Sequence, residues 1–352
     1  MPLQRLNWNE RNYQSLQRFI PTLRRDDIAV FDWDNTCILG DIGEAVFRHQ
    51  ARYLEFKFSP QRLQEIIPEQ VHGIGHIRDH DRLLPLSALK GQIVGAYEKI
   101  FDRPRNEIRA DSAYHDFSAG LLALNRGLEE TPGIGCEFAY PWTLNFLQGF
   151  SPDDVRRLAA TVMDNELQTA IRRRSLSDSR EHVTYSWVEG IRLFPEMADL
   201  AHCFNQGGCR VIISTASNQL IVETMAARVG FAAEHVIGMD VQIENGTLSG
   251  TLAPGPAPNF GPGKALNLRR RLEQEPVFVA GDSSGDYDMV TVFHDTRLKL
   301  LIRREQPGKM IPLYQKALAG DPQYLLQDVD RNGGSFLAAA NQGNAACKRI
   351  KT

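Results

Sequence analysis

Four short segments of the chain are rich in Val, Ile, Leu and Phe and lack the regular alternation of a half-exposed strand. Apolar runs of this kind are typical of strands that are buried on both faces of a parallel sheet. The segments lie at residues 28–34, 209–215, 276–282 and 298–304. The pattern therefore predicts four strands of one parallel sheet.

The later runs are separated by segments with a helical period. Ile221, Met225 and Val229 recur every four residues, and Gly230 follows them as a C-terminal stop. Alternation of strands with helices is typical of doubly wound α/β proteins. We therefore predict a mostly parallel, Rossmann-like sheet with helices on both faces.

The first two predicted strands are separated by about 175 residues, and most of that interval has helical patterns. Ser151-Pro-Asp-Asp154 predicts a helix start, with Ser as cap and Pro in the first turn. Arg172–Arg174 suits the C-terminal end of that helix. We interpret residues 45–188 as a large helical cap domain, inserted after the first strand of a catalytic core that comprises residues 1–44 and 189–352.

Two segments of the second half predict irregular or antiparallel structure. Residues 241–252 alternate around Asn245-Gly246, which is a strong signal for a β-hairpin. Residues 253–263 contain four prolines and three glycines, which predicts a loop. No pattern assigns a role to the residues after about 320.

The composition narrows the class of protein. The 352 residues include 40 basic and 43 acidic side chains, a near balance that argues against a nucleic-acid partner bound through bulk positive charge. The N-terminus shows no signal sequence, and no apolar stretch approaches the roughly 18 residues of a membrane span. The cysteines are odd in number and scattered, as in reduced intracellular proteins: Cys37, Cys136, Cys203, Cys209 and Cys347. We predict a cytoplasmic protein without a membrane partner, and the oligomeric state stays open.

Asp32 and Asp34 directly follow the first apolar run, in the segment Asp32-Trp-Asp-Asn-Thr36. Residues two apart on a strand point the same way, so the two carboxylates would repel each other. A chain tolerates this arrangement when a cation or a reaction uses it. The pair therefore predicts a metal-assisted phosphoryl-transfer site, although an acidic turn without chemistry is the alternative from this motif alone.

Three further polar signals follow the other apolar runs. Thr215 ends the second run and opens a helix, where its hydroxyl could bind a phosphate oxygen or serve as an ordinary cap. Lys264 opens a later helix and could offset phosphate charge or be a solvated side chain. Asp282 and Asp286 follow the third run in a segment that could also be a simple turn. Since the carboxyl ends of parallel strands meet at one edge, these groups together predict a site there, and their carboxylates suit Mg²⁺.

The order of these motifs resembles the haloacid dehalogenase superfamily, in particular its phosphoserine-phosphatase-like branch. The resemblance covers residues 28–44 and 195–304. Within the insertion, Tyr140-Pro-Trp-Thr-Leu144 and Gln148–Asp153 resemble segments of bacterial phosphorylcholine phosphatases. Thr215 replaces a common Ser, and the loop before Asp286 lacks a common Asn.

The resemblance implies a Mg²⁺-dependent hydrolase of phosphate monoesters. Asp32 would be the nucleophile and form an aspartyl-phosphate, and Asp34 would protonate the leaving alcohol and then activate water. Mg²⁺ would be held by Asp32, the backbone carbonyl of Asp34 and Asp282, with Asp286 behind it.

The remaining roles implied by the resemblance concern the substrate. Thr215 and Lys264 would bind the phosphoryl oxygens. Asp41 lies where phosphoserine phosphatases place a carboxylate against the substrate ammonium, although Asp41–Glu44 also fits a helix capping box.

Aromatic residues of the insertion offer a second indication about the substrate. Their rings could enclose a quaternary ammonium group or fill the core of the insertion: Tyr140, Trp142, Phe146, Tyr185 and Trp187. The predicted substrate is a small phosphorylated metabolite, with phosphocholine and amine-bearing esters such as phosphoserine as candidates. A phosphotransferase or phosphomutase with the same intermediate is the alternative function.

Overall fold

The computed structural model describes residues 2–180, 182–305 and 308–339. Within these ranges the α-helices are α1 (Glu10–Phe19), α2 (Ile42–Tyr53), α3 (Pro60–Ile66), α4 (Leu86–Ile100), α5 (Arg105–Ile108), α6 (Ser112–Glu130), α7 (Cys136–Thr143), α8 (Pro152–Gln168), α9 (Pro195–Gln206), α10 (Gln219–Arg228), α11 (Pro262–Arg271), α12 (Tyr287–Thr291) and α13 (Ile311–Leu318). Short 3₁₀ helices occupy Ile20–Thr22, Leu144–Leu147 and Gly308–Met310.

The β-strands of the same ranges form one large sheet and several two-stranded ladders. They are β1 (Ile28–Phe31), β2 (Ile38–Leu39), β3 (His76–Asp79), β4 (Arg82–Pro85), β5 (Arg172–Ser177), β6 (Thr184–Glu189), β7 (Arg192–Leu193), β8 (Arg210–Asn218), β9 (His235–Met239), β10 (Val241–Glu244), β11 (Thr247–Leu252), β12 (Phe278–Gly281), β13 (Leu298–Ile302), β14 (Tyr324–Gln327), β15 (Val329–Asp330) and β16 (Ser335–Phe336).

The large sheet has six strands in the order β14-β13-β12-β1-β8-β9, and each neighbouring pair is parallel. Its central strand β1 is buried on both faces. Ala29 and Phe31 belong to one hydrophobic cluster and Ile28 and Val30 to another, as the two-residue period of a strand requires. The predicted doubly wound, Rossmann-like fold is therefore confirmed.

All four predicted strands are present, and the sheet is wider than they indicated. The edge strands β9 and β14 complete it, and β14 comes from the C-terminal region to which the sequence assigned no role. The arrangement matters for the site because β12, β1 and β8 are adjacent. Their carboxyl ends therefore meet at one edge of the sheet.

The long insertion leaves and rejoins the core at one place. Ile38–Leu39 pairs antiparallel with Arg192–Leu193, so the two ends of the insertion are held together. One hydrophobic cluster consists of residues between Phe47 and Trp187 alone. Helix α8, however, packs against α10 of the core, where Val155 shares a cluster with Val222. The insertion thus has its own core and a firm contact with the sheet domain.

The start of α8 agrees with the sequence, but its end does not. Ser151 caps the helix in a full capping box with Asp154. Residues Arg172–Arg174, predicted at its C-terminal end, instead lie in β5 of a hairpin. The helix ends at Gln168, and the hairpin places Arg172 and Arg174 beside Glu189, 2.5 and 2.9 Å from its Oε1. Cross-strand ion pairs therefore replace the predicted interaction with a helix end.

Other local predictions are confirmed. The hairpin β10–β11 turns at Asn245 and Gly246, whose φ values of 50° and 81° are those of a primed turn. Helix α10 ends just before Gly230, which has a φ of 68°. No helix among the described residues combines the length and the apolar character needed to cross a bilayer.

Candidate active site

Three carboxylates from two adjacent strand ends lie together at the edge of the sheet. Asp32 follows β1, while Asp282 and Asp286 follow β12. One oxygen of each lies within 4.8 Å of the other two, and the residues are 5%, 1% and 1% exposed. Burial of like charges is costly unless a cation compensates it. The geometry therefore requires positive charge at this point.

Lys264 supplies part of that charge. It lies in the first turn of α11, and its Nζ is 2.5 Å from Asp32 Oδ1 and 2.7 Å from Asp286 Oδ1. Burial alone would lower the pKa of Lys264, but the two carboxylates outweigh it and raise the pKa above its ordinary value. Lys264 is only 2% exposed, which excludes the alternative, drawn from the sequence, of a solvated side chain.

Neighbouring groups fix the orientation of Asp32. The Thr36 hydroxyl donates to Asp32 Oδ2 at 2.8 Å, and the Asp32 N–H donates to the Ala280 carbonyl at 2.9 Å. Burial, followed by repulsion from Asp286, raises the pKa of Asp32 well above its ordinary value despite Lys264. Asp32 is therefore held rigidly in a place where an additional cation would favour its ionised form.

Asp286 holds the loop after β12. Its Oδ2 accepts the N–H groups of Asp282 and Ser283 at 3.0 and 3.1 Å. Burial acts to raise the pKa of Asp286, but Lys264 and these donors bring it below its ordinary value. The loop passes so close that a Cβ on Gly281 would lie 2.7 Å from the Cβ of Asp286. This contact explains a glycine at the strand end.

Asp282 has a cationic partner that sequence reasoning did not assign. Arg304, just beyond β13, donates through Nη1 to Asp282 Oδ2 at 2.9 Å. Burial raises the pKa of Asp282 to about 7, and the Arg304 charge opposes the rise. Arg303-Arg304 had no predicted role, because a pair of arginines after a strand resembles any solvated charge cluster.

Asp34 is not part of the group of three clustered acids, and its carboxylate is held by three donors. Its Oδ1 accepts the Ile42 N–H at 2.8 Å, and its Oδ2 accepts the hydroxyls of Ser217 at 2.7 Å and Thr215 at 3.3 Å. Burial raises the pKa of Asp34 to about 6, and the Ile42 and Ser217 bonds limit the rise. Ser217 was not predicted, although it lies only two residues beyond Thr215.

Thr215 does not open a helix, so that prediction is wrong. Strand β8 continues to Asn218, whose side chain caps α10 by accepting from the Ile221 N–H. Asn218 thus provides the helix cap that was the alternative role of Thr215. Thr215 is fully buried, with its hydroxyl against Asp34 rather than at a helix N-terminus.

Asp41 fits both interpretations of its sequence position. It caps α2, where its Oδ1 accepts the Glu44 N–H at 2.8 Å. It also lines a pocket that contains Asp32, Asp34 and Lys264. Burial and the charges of Asp34 and Glu44 raise the pKa of Asp41 well above its ordinary value.

This pocket, of about 120 Å³, lies between the edge of the sheet and the insertion. The predicted site residues Asp32, Asp34, Asp41, Lys264 and Asp282 line it, whereas Thr215 and Asp286 lie behind its wall. The insertion contributes Asn125 and Glu129, which no sequence pattern indicated, because helical periodicity does not show which residue of a helix faces a ligand. It also contributes Tyr140 and Tyr185, two of the aromatic residues named from the sequence, while Glu44 lines the pocket from the core side of the boundary.

The aromatic residues of the insertion divide into two sets. Trp142, Phe146 and Trp187 belong to its hydrophobic cluster and are at most 6% exposed. Tyr140 and Tyr185 also line the pocket. For the first three, core packing accounts for the ring positions.

The charges at the sheet edge suit a hard divalent cation. Three buried carboxylates face two cations, Lys264 and Arg304, which leaves a net negative charge. The potential ligands are oxygen atoms, as Mg²⁺ prefers, and among the described residues no other group of three or more acidic, His or Cys side chains brings its ligand atoms so close. The residues therefore fit a divalent metal ion.

Comparison with known proteins gives an independent indication of family. Residues 108–291, just over half of the chain, match the family described as haloacid dehalogenase-like hydrolase. The matched range contains Thr215, Lys264, Asp282 and Asp286 and begins after Asp32. No curated protein sequence matches this chain.

Solved structures show how far the fold is shared. A conserved protein of unknown function from Anaerococcus prevotii is 25% identical with a TM-score of 0.86, over 96% of this chain and 97% of its own. A protein of unknown function from Bordetella pertussis is 15% identical with a TM-score of 0.48, over 86% and 98%. A phosphoserine phosphatase, solved as a phospho-aspartyl intermediate analogue, is 10% identical with a TM-score of 0.38, over 79% and 87%.

The first of these likenesses spans the insertion as well as the sheet. The match to the family model confirms the predicted superfamily, and with it the prediction of an enzyme of the hydrolase class. We conclude that this chain belongs to the haloacid dehalogenase-like hydrolase family.

Proposed function

We propose that this protein is a Mg²⁺-dependent phosphatase that hydrolyses a small phosphate monoester through an aspartyl-phosphate on Asp32. The observation that carries the proposal is the buried cluster at the sheet edge. Lys264 Nζ lies 2.5 Å from Asp32 Oδ1. One carboxylate oxygen from each of Asp32, Asp282 and Asp286 lies within 4.8 Å of the other two.

The metal would be held by Asp32, Asp282 and the backbone carbonyl of Asp34. Asp286 supports this set from behind, because its Oδ2 fixes the backbone of Asp282 and Ser283. When bound, Mg²⁺ supplies positive charge that offsets the charges of the phosphate and the carboxylates.

Asp32 is the nucleophile. One of its carboxylate oxygens forms a bond to phosphorus while the ester P–O bond breaks and the alcohol leaves. Thr36 and Lys264 fix the carboxylate, and Lys264 also offsets phosphoryl charge as it develops in the transition state. Thr215 acts indirectly, because its hydroxyl contacts Asp34 Oδ2 and helps to position that carboxyl group.

Asp34 moves the proton. It donates its proton to the oxygen of the departing alcohol, and then accepts a proton from the water that attacks phosphorus. The bond between phosphorus and Asp32 breaks in this second step and inorganic phosphate is released. A pKa of about 6 suits a group that must both donate and accept near neutral pH.

The insertion, residues 45–188, serves as a cap that covers the substrate. It supplies pocket residues from α2, α6, α7 and β6. Asp41, on the core side of this boundary, contacts the alcohol part of the substrate, which bears an amine or a choline group as in phosphoserine or phosphocholine. Phosphotransfer to a second alcohol is the alternative outcome of the same intermediate.

The proposal is tested by phosphate release from a panel of small phosphate monoesters. The full chain is assayed with Mg²⁺ and with EDTA, without any acceptor alcohol, beside Asp32→Asn. We expect turnover that requires Mg²⁺ and falls by at least about 10³ in Asp32→Asn. Full activity in EDTA or in Asp32→Asn would refute the mechanism, and product formation only with an added sugar alcohol would favour phosphotransfer.

A further inference from the structure

The end of the pocket away from Asp32 is acidic. Asp41 and Glu44 lie at the start of α2, and Glu129 lies near the end of α6. All three line the pocket; repulsion from Glu44 and Glu129 raises the pKa of Asp41, and repulsion from Glu44 raises the pKa of Glu129. None of the three forms a salt bridge within the part of the chain that the structure describes. Arg304, which also lines the pocket, is paired with Asp282. Among the described residues, the three carboxyl groups therefore have no ion-pair partner in the pocket.

Asn125 provides an independent sign of a ligand. It lies one turn before Glu129 on α6, lines the pocket and is only 8% exposed. Its Nδ2 donates to Glu129 Oε1 at 2.6 Å, but its buried Oδ1 has no hydrogen-bond partner. A buried acceptor without a donor is costly. The missing partner is a group with an N–H or O–H bond.

A metal ion is a poor fit for this end of the pocket. Among the described residues, only Asp32, Asp282 and Asp286 bring three such ligand atoms within 4.8 Å of one another. The oxygens of Asp41, Glu44 and Glu129 are thus too far apart for one small ion. Hydrogen bonds from an ammonium group span about 2.8 Å between heavy atoms, compared with about 2.1 Å for an oxygen ligand of Mg²⁺, so an ammonium group tolerates acceptors that lie further apart.

The aromatic rings do not form a cage for a quaternary ammonium group. The Tyr185 ring stacks with Trp187 at 5.6 Å and carries the Arg126 guanidinium 4.3 Å from its centroid. Tyr140 packs edge to face with Phe260 at 5.2 Å. Because Tyr185 is already engaged by a stacked ring and a cation, oxygen acceptors rather than ring faces define this end of the pocket.

We propose that Asn125 and Glu129, facing Asp41 and Glu44, bind a protonated primary amine on the alcohol part of the substrate. The inference rests on the proposed phosphatase function and narrows its substrate class. An ammonium group with N–H bonds can donate to Asn125 Oδ1 and to the carboxylates. A quaternary ammonium carries no N–H and leaves Asn125 Oδ1 without a partner. Glu129 and Asn125 are thus specificity-determining residues contributed by the cap.

The ionisation of Glu129 agrees with this role. Burial and the charge of Glu44 raise the pKa of Glu129 to about 8. A bound ammonium would favour the charged form and relieve part of that repulsion.

The test compares three esters that differ in the charge and the hydrogen-bonding capacity of the head group. They are 2-aminoethyl phosphate, with a primary ammonium; choline phosphate, with a quaternary one; and n-propyl phosphate, which is neutral. Each is assayed for kcat and KM with the wild type, Glu129→Gln and Asn125→Ala. Glu130→Gln is the matched control, because Glu130 is exposed, adjacent to Glu129 and outside the pocket lining.

We expect the wild type to prefer 2-aminoethyl phosphate over each of the other two esters by at least about tenfold in kcat/KM. Glu129→Gln and Asn125→Ala should each reduce the ratio of the amine ester to the propyl ester about tenfold, mainly through KM. Glu130→Gln should keep that ratio. Thermal unfolding shows whether each variant is folded. Calorimetry then measures the binding of 2-aminoethyl phosphate to Glu129→Gln and Asn125→Ala, each combined with Asp32→Asn, and shows whether recognition is lost.

The possible failures are distinguishable. If the wild type hydrolyses all three esters equally, or prefers the choline ester, the amine site is refuted while the phosphatase function stands. If Glu129→Gln slows all esters by one common factor, Glu129 does not select the amine. If the wild type hydrolyses no ester, the proposed function fails and the amine site fails with it.

Discussion

Lys264 illustrates how strongly single residues determine this site. It bridges Asp32 and Asp286, and all three are almost fully buried. Removing one partner of a buried ion pair leaves an uncompensated charge, which costs about 3–5 kcal/mol in typical cases. In the proposed mechanism, the same ammonium offsets charge on the phosphoryl group at Asp32. Its loss should therefore affect both stability and rate.

Lys264→Ala should lower kcat by about two to three orders of magnitude, as expected for the loss of one preorganised charge in a buried site. Steady-state rates at saturating Mg²⁺ provide the measurement, and circular dichroism shows whether the variant is folded. Lys99→Ala, on the exposed surface of α4, is the control. A loss below tenfold in folded Lys264→Ala would exclude Lys264 from the reaction.

The raised pKa of Glu129 predicts a pH dependence of substrate recognition. Below about pH 8 the free carboxyl is mostly protonated, so the affinity for an ammonium head group should rise as the pH increases from 6 to 8. A primary ammonium keeps its charge over this range. The charged or titratable groups around Glu129 are Asp41, Glu44, Arg126, Glu130, Cys136, Tyr140 and Tyr185.

The measurement is the ratio of KM values for 2-aminoethyl and n-propyl phosphate across this range, since the ionisation of the phosphate is common to both esters. The ratio should fall with rising pH in the wild type and stay flat in Glu129→Gln. A ratio that is constant with pH in the wild type would contradict the assignment.

At the level of elements, the strands were predictable and the site's outer wall was not. Continuous apolar runs identify β1, β8, β12 and β13 because a doubly covered sheet needs apolar side chains on both faces. The apolar run of β9 is interrupted by Gly238 and that of β14 ends at Gln327, so neither edge strand has a strong pattern.

The same contrast holds for the residues of the site. Asp32, Asp34, Asp282 and Lys264 were predictable because the ends of parallel strands, and the helices that follow them, converge by topology. Arg304, Ser217, Asn125 and Glu129 were not, because their place depends on how separate elements pack. Thr215 shows the limit of local signals, since strand β8 extends three residues further than its apolar run.

Helix α8 joins the insertion to the core, and its start depends on one capping box. Ser151 Oγ accepts the Asp154 N–H at 3.1 Å, and Asp154 Oδ2 accepts the Ser151 N–H at 3.0 Å. Ser151→Ala should lower the free energy of unfolding by about 1 kcal/mol. Urea denaturation measures this, with Ser87→Ala, at an exposed position of α4, expected to change it by less than about 0.5 kcal/mol. Equal stability of the two variants would show that the box contributes nothing.

On the scale of the whole molecule, the pocket is assembled from two parts of the chain. The sheet edge supplies the reactive groups, and the insertion supplies Asn125 and Glu129 opposite them. The ladder between Ile38–Leu39 and Arg192–Leu193 holds both ends of the insertion beside the site. Under the proposed function, a change in the cap should alter which ester reacts while leaving the type of reaction unchanged.

The central claim is that Asp32 becomes phosphorylated during turnover. Rapid acid quenching with a good substrate and Mg²⁺, followed by borohydride reduction and peptide mass spectrometry, identifies the modified residue, because an acyl phosphate on aspartate is reduced to homoserine. The account predicts homoserine at position 32, only when substrate and Mg²⁺ are both present, and none in Asp32→Asn. Homoserine at Asp34 or Asp282, or none under these conditions in an enzyme that is turning over, would contradict it.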